Sequence, residues 1–397
     1  IVARRSVDGG QKWSFDIYGL DSNKINDINM TVFNSTTGLL YAAAGEQPGS
    51  NGDYTDARIT QFRGRISVSA DTGKNWITLH NFSTRAVSSI AIDPASSTNG
   101  MYATVIDVLG GIGDVYHCTD VENNSNTWTK LSSPPRTEGR PLQIIVLNDG
   151  NLIAVYGARN SASSGAANFT TSSGAFYSNN GGVSWADNNL PSMQKETVNI
   201  EVDPNDASQN TWLAFVGSKS TAPGVYRTIN RGVNWTQVYT QASLSGTFHP
   251  TLSNELYICS EVKGLQYATN TNSNSFSINN VTSYPFRRPQ KVFFNPYDVN
   301  EVWVASFGNG FRMGTTNIST GITNPSFSEN QFTLYPNPVN DLLSFSETLN
   351  SIKVFNILGE LVIQKNEHSN FISTCTLADG IYFLKSNEGT VKFIVRH

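Results

Sequence analysis

Short runs in which apolar and polar residues alternate recur along the chain, separated by Gly, Asn, Asp and Pro. Residues 197–204 (TVNIEVDP), 210–217 (NTWLAFVG) and 224–238 (GVYRTINRGVNWTQV) form one group of three such runs. Alternation rich in β-branched and aromatic residues is typical of half-buried β-strands. Similar groups predict six all-β units, at residues 24–80, 86–132, 142–190, 197–240, 243–282 and 289–316.

A turn motif lies near the end of most units: Ser or Thr, any residue, Asp or Asn, any residue, Gly, two residues, then Trp. A short polar side chain can accept backbone N–H groups in a tight turn, while Gly accepts a positive φ. We therefore expect each motif to join two strands and to serve the fold, not catalysis. The third and last positions of the four clear copies are Asp8 and Trp13, Asp71 and Trp76, Asn180 and Trp185, and Asn230 and Trp235.

These motifs resemble the Asp-box, or BNR, repeat of sialidases, xyloglucanases and sortilin-like receptors. Together with two altered copies that end at Trp128 and Phe276, the motifs lie 41 to 63 residues apart, which suits four-stranded propeller blades. The resemblance implies that residues 1–316 form a β-propeller of six to seven four-stranded blades. Because the first motif lacks two preceding strands, we expect the array to be truncated at its N-terminus. The family's members have unrelated functions, so the resemblance implies a fold and no activity.

After a linker rich in Ser, Thr and Asn at residues 317–330, residues 331–397 contain five further strand-like runs. They closely match the C-terminal sorting domain of the Bacteroidetes type IX secretion system. The resemblance implies a small Ig-like β-sandwich, contact with the type IX machinery, and a secreted or outer-membrane surface location. The matching residues include Pro336, Asn337, Pro338, Gly359, Gly380, Lys392 and Arg396.

Composition narrows the possible partners. A net charge of -4 excludes the basic surface typical of nucleic-acid binding. No apolar run is long enough for a transmembrane segment. The chain starts at Ile1 without signal-peptide features, so we expect a leader to have been removed or truncated upstream. Three isolated cysteines and five scattered histidines give no metal-binding spacing, and we expect neither a metal nor another cofactor.

The related propellers bind ligands on the face opposite the turn motifs, which is built by loops between the second and third strands and between blades. Charged residues in such loops predict a binding face for an extracellular polysaccharide or protein, although a solvated rim explains them equally well. The candidates are Glu46, Asp53, Asp56, Arg58, Asp107, Glu138, Arg140, Arg159, Arg287 and Arg288.

A glycoside hydrolase resembling the xyloglucanases is the alternative. It needs two carboxylates about 5 to 5.5 Å apart for retention, or about 6.5 to 9.5 Å for inversion. The candidate carboxylates are Glu46, Asp53, Asp56, Asp107 and Glu138, and the sequence assigns no pair among them. A sialidase is less favoured, because residues 286–289 (FRRP) come late and differ from the Phe-Arg-Ile-Pro motif of that family. Whether the protein is an enzyme stays open.

Overall fold

The computed structural model divides the chain into two compact units, Ile1–Thr316 and Asn317–His397. Apart from a 3-10 helix at Pro191–Gln194, the regular elements of the described residues are β-strands. The predicted all-β fold class is confirmed: the first unit has the antiparallel sheets of a β-propeller and the second is a small β-sandwich. The structure describes residues 6, 12, 14, 17, 18, 28–45, 64–82, 86–107, 113–123, 127–159, 169–316, 332–387 and 389–397.

The described residues of the first unit form six antiparallel sheets that follow one another, each pairing strands in chain order. The first two sheets are β1 (Ile28–Asn34), β2 (Leu39–Ala44), β3 (Arg65–Ser69) and β4 (Ile77–Asn81), then β5 (Ala86–Ile92), β6 (Met101–Ile106), β7 (Asp114–Cys118) and β8 (Thr129–Lys130). The third and fourth are β9 (Pro141–Val146), β10 (Leu152–Tyr156) and β11 (Gly174–Ser178), then β12 (Thr197–Val202), β13 (Trp212–Val216), β14 (Gly224–Thr228) and β15 (Thr236–Tyr239). The last two are β16 (Ser243–Phe248), β17 (Glu255–Ser260), β18 (Gly264–Thr269) and β19 (Ser277–Asn280), then β20 (Pro289–Asn295), β21 (Asp298–Ser306) and β22 (Gly310–Thr315).

Side chains on the first strand of one sheet bond the backbone of the first strand of the next. The Ser88 hydroxyl of β5 donates to the Pro141 carbonyl of β9 at 2.8 Å. The Gln143 amide of β9 donates to the Ile200 carbonyl of β12 at 3.0 Å and accepts the Ile200 N–H at 2.8 Å. Because these first strands belong to different sheets, side chains replace the ladder hydrogen bonds that would otherwise join them.

Apolar side chains fill the space between consecutive sheets. Leu213 and Phe215 of β13 pack with Phe248, Leu256 and Ile258 of the fifth sheet, and all five are at most 2% exposed. Burial of such side chains is the main favourable term that holds sheet to sheet.

The third sheet has three strands, where the sequence predicts four. In the fourth-strand position only Ala186 pairs with β11, in an isolated bridge to Tyr177. Nearby, the Asn189 amide accepts the Ala175 N–H and donates to the Ala175 carbonyl, both at 2.8 Å. One amide side chain thus satisfies a backbone edge that a strand would otherwise pair.

The second turn motif connects β3 to β4 through a network of polar bonds. The Ser69 hydroxyl donates to Asp71 Oδ1 and accepts the Gly73 N–H, each at 2.9 Å. Asp71 Oδ1 also accepts the Asn75 N–H at 2.7 Å. Gly73 has a φ of +84°, and the Trp76 indole donates to its carbonyl at 2.9 Å.

The third and fourth motifs repeat this bonding with Asn in place of Asp. The Ser178 and Thr228 hydroxyls donate to Asn180 and Asn230 at 2.9 Å, as Ser69 does to Asp71. The tryptophans are buried, but their indoles differ in partner: Trp185 donates to the Ser132 carbonyl, ahead of β9, at 2.7 Å. Asp8 and Trp13 of the first motif lie outside the described residues.

The described residues of the second unit form two sheets around one apolar core. The first sheet comprises β23 (Leu334–Tyr335), β24 (Leu342–Leu349) and β27 (Ser369–Ser373). The second, in the order β26-β25-β28-β29, comprises β25 (Ile352–Asn356), β26 (Leu361–Lys365), β28 (Gly380–Ser386) and β29 (Gly389–Val395). Leu343 and Phe345 of one sheet and Val354, Leu384 and Phe393 of the other belong to the same buried cluster.

The Pro-Asn-Pro segment of this unit lies along its last strand. Asn337 Oδ1 accepts the Ile394 N–H at 2.9 Å, and Val339 forms a parallel bridge with Val395. The Arg396 N–H then donates to the Val339 carbonyl at 2.8 Å. Segments far apart in the sequence, both singled out by the sorting-domain resemblance, are therefore direct neighbours.

Candidate functional site

The antiparallel order gives each sheet of the first unit two distinct edges. The turn motifs follow the end of a third strand and define the turn edge. At the opposite edge, which we call the loop edge, the first strand begins, the second ends and the third begins. The loop edge carries all the described candidate residues: Asp107, Glu138, Arg140, Arg159, Arg287 and Arg288. Glu46, Asp53, Asp56 and Arg58 lie outside the described residues.

The residue preceding a first strand occupies an equivalent position at the loop edge of four successive sheets. Its carbonyl accepts the N–H of the residue after the second strand of the same sheet. The four pairs are Arg140 with Gly157, Glu196 with Gly217, Ala242 with Glu261, and Arg288 with Phe307, at 2.9 to 3.2 Å. This repeat places charged side chains at matching points of the third, fourth and sixth sheets.

Glu138 and Arg159 meet at the loop edge of the third sheet through Thr170. Glu138 Oε2 accepts the hydroxyls of Thr170 at 2.9 Å and Ser172 at 3.2 Å. The backbone N–H of Arg159 donates to the Thr170 hydroxyl at 3.1 Å, while the Arg159 side chain is exposed. The Asp107 N–H donates to the Gly139 carbonyl at 3.1 Å, so the second sheet borders this group.

A cluster that the sequence analysis did not assemble lies beside Arg140. Glu196 Oε2 accepts the Lys219 N–H at 2.5 Å, and Glu261 Oε1 accepts the adjacent Ser218 N–H at 3.2 Å. Two carboxylates thus hold successive amides of one loop between β13 and β14. We call Arg140, Glu196, Lys219 and Glu261, which come from the third, fourth and fifth sheets, the Glu196 cluster.

Burial raises the pKa of Glu196, and the nearby Glu261 charge raises it further. The Lys219 N–H and the charges of Lys219 and Arg140 lower the Glu196 pKa, so Glu196 interacts electrostatically with each of the other three members. A carboxyl with a raised pKa beside a second acidic side chain is an arrangement also found at proton-transfer sites.

Two glycines make room for this cluster. A Cβ added to Gly217 would lie 2.6 Å from the Glu196 carboxyl carbon, and one added to Gly157 would lie 3.4 Å from Arg140 Cδ. The signal for Glu196 was present in the sequence, since it precedes Thr197 of β12 as Arg140 precedes Pro141 of β9. Aligning the repeats at their first strands would have identified it.

Arg287 and Arg288 directly precede β20, at the loop edge of the sixth sheet. Both are exposed, and the guanidinium of Arg288 lies 5.9 Å from the centre of the Phe307 ring on the sixth sheet. Arg287 and Arg288 thus add two exposed cations to the loop edge of the sixth sheet.

The described part of the chain has neither a cluster of metal-binding side chains nor a membrane-spanning helix. No cluster of three or more His, Cys, Asp or Glu side chains there could hold a metal ion. No helix formed by those residues is long and apolar enough to cross a membrane.

Residues 333–396 match the family model described as the secretion system C-terminal sorting domain. This match supports export of the chain by type IX secretion and interaction with that machinery. It indicates a secreted or outer-membrane surface protein, as the sequence predicted. No curated protein sequence matches the chain.

Solved structures resemble the chain at low sequence identity. The extracellular domain of the one component system BT4673 from B. thetaiotaomicron aligns with a TM-score of 0.52 and 13% identity, over 97% of this chain and 52% of that one. PorZ, a surface component of the type-IX secretion system of Porphyromonas gingivalis, aligns with a TM-score of 0.43 and 15% identity, over 94% and 59%. The Dos1 propeller aligns with a TM-score of 0.48 and 11% identity, over 72% and 68%. The chain thus spans little more than half the length of the first two proteins, and these likenesses concern the fold alone.

Proposed function

We propose that the first unit binds an extracellular polysaccharide or protein at its loop edge, and that the sorting domain takes this binding module to the cell surface or the medium. The observation that carries the proposal is the Glu196 cluster. Three successive sheets place charged side chains of both signs at one place on a rigid β scaffold. Binding sites commonly lie on loops held by such a scaffold.

The cluster offers complementary groups for a polar ligand. Arg140 donates to the Ala158 carbonyl through Nη1 at 3.1 Å, while its buried Nε has no hydrogen-bond partner among the described residues. A guanidinium presents several donors in a fixed plane, which suits carboxylate groups and sugar hydroxyls. Glu196 and Glu261 supply acceptors for hydroxyl groups beside it.

Binding of the full-length chain to a glycan array tests this function. We expect Arg140→Ala and Glu261→Gln to lower the signal for the glycans that the wild type retains. Lys74→Ala is the matched control, because Lys74 is an exposed cation at the turn edge. Equal loss in the control, or no loss in either cluster variant, would contradict the assignment of the site. If no glycan binds, protein ligands of the extracellular space remain to be tested on the same variants.

A glycoside hydrolase is the second candidate, and the raised pKa of Glu196 beside Glu261 favours it. Glycoside hydrolysis uses one carboxyl as general acid and a second as base or nucleophile, and a raised pKa suits Glu196 to the first role. The test is release of reducing ends from xyloglucan and other extracellular glucans. Loss of hydrolysis in both Glu196→Gln and Glu261→Gln, with glycan binding retained, would support an enzyme. Hydrolysis that persists in both variants would eliminate this pair as catalytic.

We also infer that the repeated turns are Asp boxes with a structural role. Their shared hydroxyl-to-Asp or Asn bonds and their buried tryptophans support this assignment. Carboxylates or amides engaged by backbone N–H groups in three different sheets are unsuited to forming one catalytic centre.

A further inference from the structure

The four-stranded sheet of the second unit has an exposed apolar face. In β28, Tyr382 and Leu384 enter the core, so strand alternation places Ile381 and Phe383 on the opposite face. Ile381 is 41% exposed and Phe383 is 38% exposed. An antiparallel sheet with one solvated face normally carries polar residues there.

Strand register extends this apolar surface across three strands. Phe383 pairs with Phe355 of β25, and Ile381 pairs with Ile394 of β29. Directly opposed residues of an antiparallel pair lie on the same face. Phe355, Ile381, Phe383 and Ile394 therefore form one patch, which we call the outer sheet face. A contiguous exposed apolar patch marks an interaction surface.

Three lysines accompany the outer sheet face. Lys353 pairs with Lys385 across β25 and β28, and Lys392 of β29 pairs with Phe383. All three share the face of the apolar residues, and none forms an ion pair with a carboxylate of the described residues. The surface thus combines an apolar centre with uncompensated positive charge.

We propose that the outer sheet face docks onto a protein of the type IX export machinery that presents an apolar surface bordered by carboxylates. This proposal rests on the sorting-domain match of residues 333–396 and adds the surface through which it acts. Charge complementarity defines the partner, because carboxylates would neutralise three lysines that form no ion pair among the described residues. A homodimer through this face is disfavoured, because it would bring the three lysines of one copy against the same three lysines of the other.

Export of the full-length protein from a host with a working type IX system tests the apolar part. We expect the double variant Ile381→Ser/Phe383→Ser to lower the exported fraction about tenfold or more and to accumulate in the periplasm. The matched control is Leu342→Ser/Phe371→Ser, which removes residues of 49% and 45% exposure from the other sheet. Normal export of the first variant, or an equal defect in the control, would overturn the proposal.

The charged part is tested separately, so that the result does not depend on the apolar variant folding. Lys385→Glu/Lys392→Glu is expected to lose export, and Lys385→Arg/Lys392→Arg is expected to retain it. Thermal unfolding of the purified chains checks that both fold as the wild type does. Normal export of the Glu variant would overturn the proposal. A second result would also overturn it: wild-type protein that cosediments with phosphatidylglycerol vesicles, and a Glu variant that does not. The partner would then be a lipid surface and not a protein.

Discussion

Asp71 accepts two hydrogen bonds from Asn75, the backbone N–H to Oδ1 at 2.7 Å and the side-chain amide to Oδ2 at 2.6 Å. These bonds, first the backbone and then the side-chain one, lower the pKa of Asp71 to about 2. Asn180 and Asn230 occupy the same motif position in two other sheets. What these three residues share is an acceptor oxygen, not a charge.

We therefore expect Asp71→Ala to lower the thermal unfolding midpoint of the full chain more than Asp71→Asn does. The Asn variant keeps an oxygen for the Asn75 and Lys74 N–H groups, and the Ala variant leaves those donors unpaired. Equal midpoints for the two variants would contradict the acceptor role.

The same bonds give a pH dependence with a defined sign. A carboxyl whose pKa is lower in the folded state stabilises the fold at pH values above its unfolded pKa of about 3.9. This stabilisation is lost as the pH falls from there through the folded value of about 2. Acid unfolding followed by circular dichroism should show a smaller pH dependence in Asp71→Asn than in the wild type.

Trp185→Ala is expected to lower the free energy of unfolding by about 3 to 5 kcal/mol. The ring is 8% exposed and packs in a cluster with Tyr102 and Phe176. Trp185→Phe keeps much of the packing and loses the indole bond to Ser132, so we expect a loss nearer 1 kcal/mol. Urea titration measures the free energy of unfolding of both variants. A wild-type value for Trp185→Ala would show that the motif tryptophan does not support the fold.

We expect His249 to make the stability of the first unit depend on pH under mildly acidic conditions. The side chain is 1% exposed, and its Nδ1 accepts the N–H groups of Thr251 at 3.3 Å and Leu252 at 3.2 Å. Burial lowers its pKa, against the opposing charge of Glu255. The folded state thus favours the neutral ring, so this contribution to stability is complete above about pH 6.5 and decreases as the pH falls through the lowered pKa.

His249→Asn should reduce that dependence. An Asn oxygen can accept the same turn N–H groups and does not titrate. Urea unfolding at several values between about pH 5 and 8 compares the two proteins. If the free energy of unfolding of His249→Asn falls with decreasing pH as steeply as that of the wild type, groups other than His249 cause the pH dependence.

Deletion of residues 317–397 is expected to leave a folded first unit that remains in the periplasm. Each buried apolar cluster of the described residues draws its members from one unit, so the first unit keeps its own cores after the deletion. Fractionation of the secretion host and circular dichroism of the purified product provide the two measurements. Secretion of the truncated chain at normal yield would contradict the role of the sorting domain.

The sequence by itself determined the features that depend on local order along the chain. Alternation fixed the strands, because one face of each strand must be buried. The turn motifs were readable because Ser69, Asp71 and Gly73 act within a few residues of one another. The Pro-Asn-Pro segment and the other sorting residues identified the second unit for the same reason.

Only the tertiary structure decided which separated residues meet. Aligning the repeats gives Glu196 the same edge position as Arg140, but only the structure shows that Glu196 and Glu261 bind successive amides of one loop. In the third sheet, the Asn189 side chain bonds the Ala175 backbone where a fourth strand was predicted. The alternation of apolar and polar residues does not reveal such a contact. The outer sheet face likewise required the register that sets Phe383 between Phe355 and Lys392, because pairing across strands is set by the packing of the whole sheet.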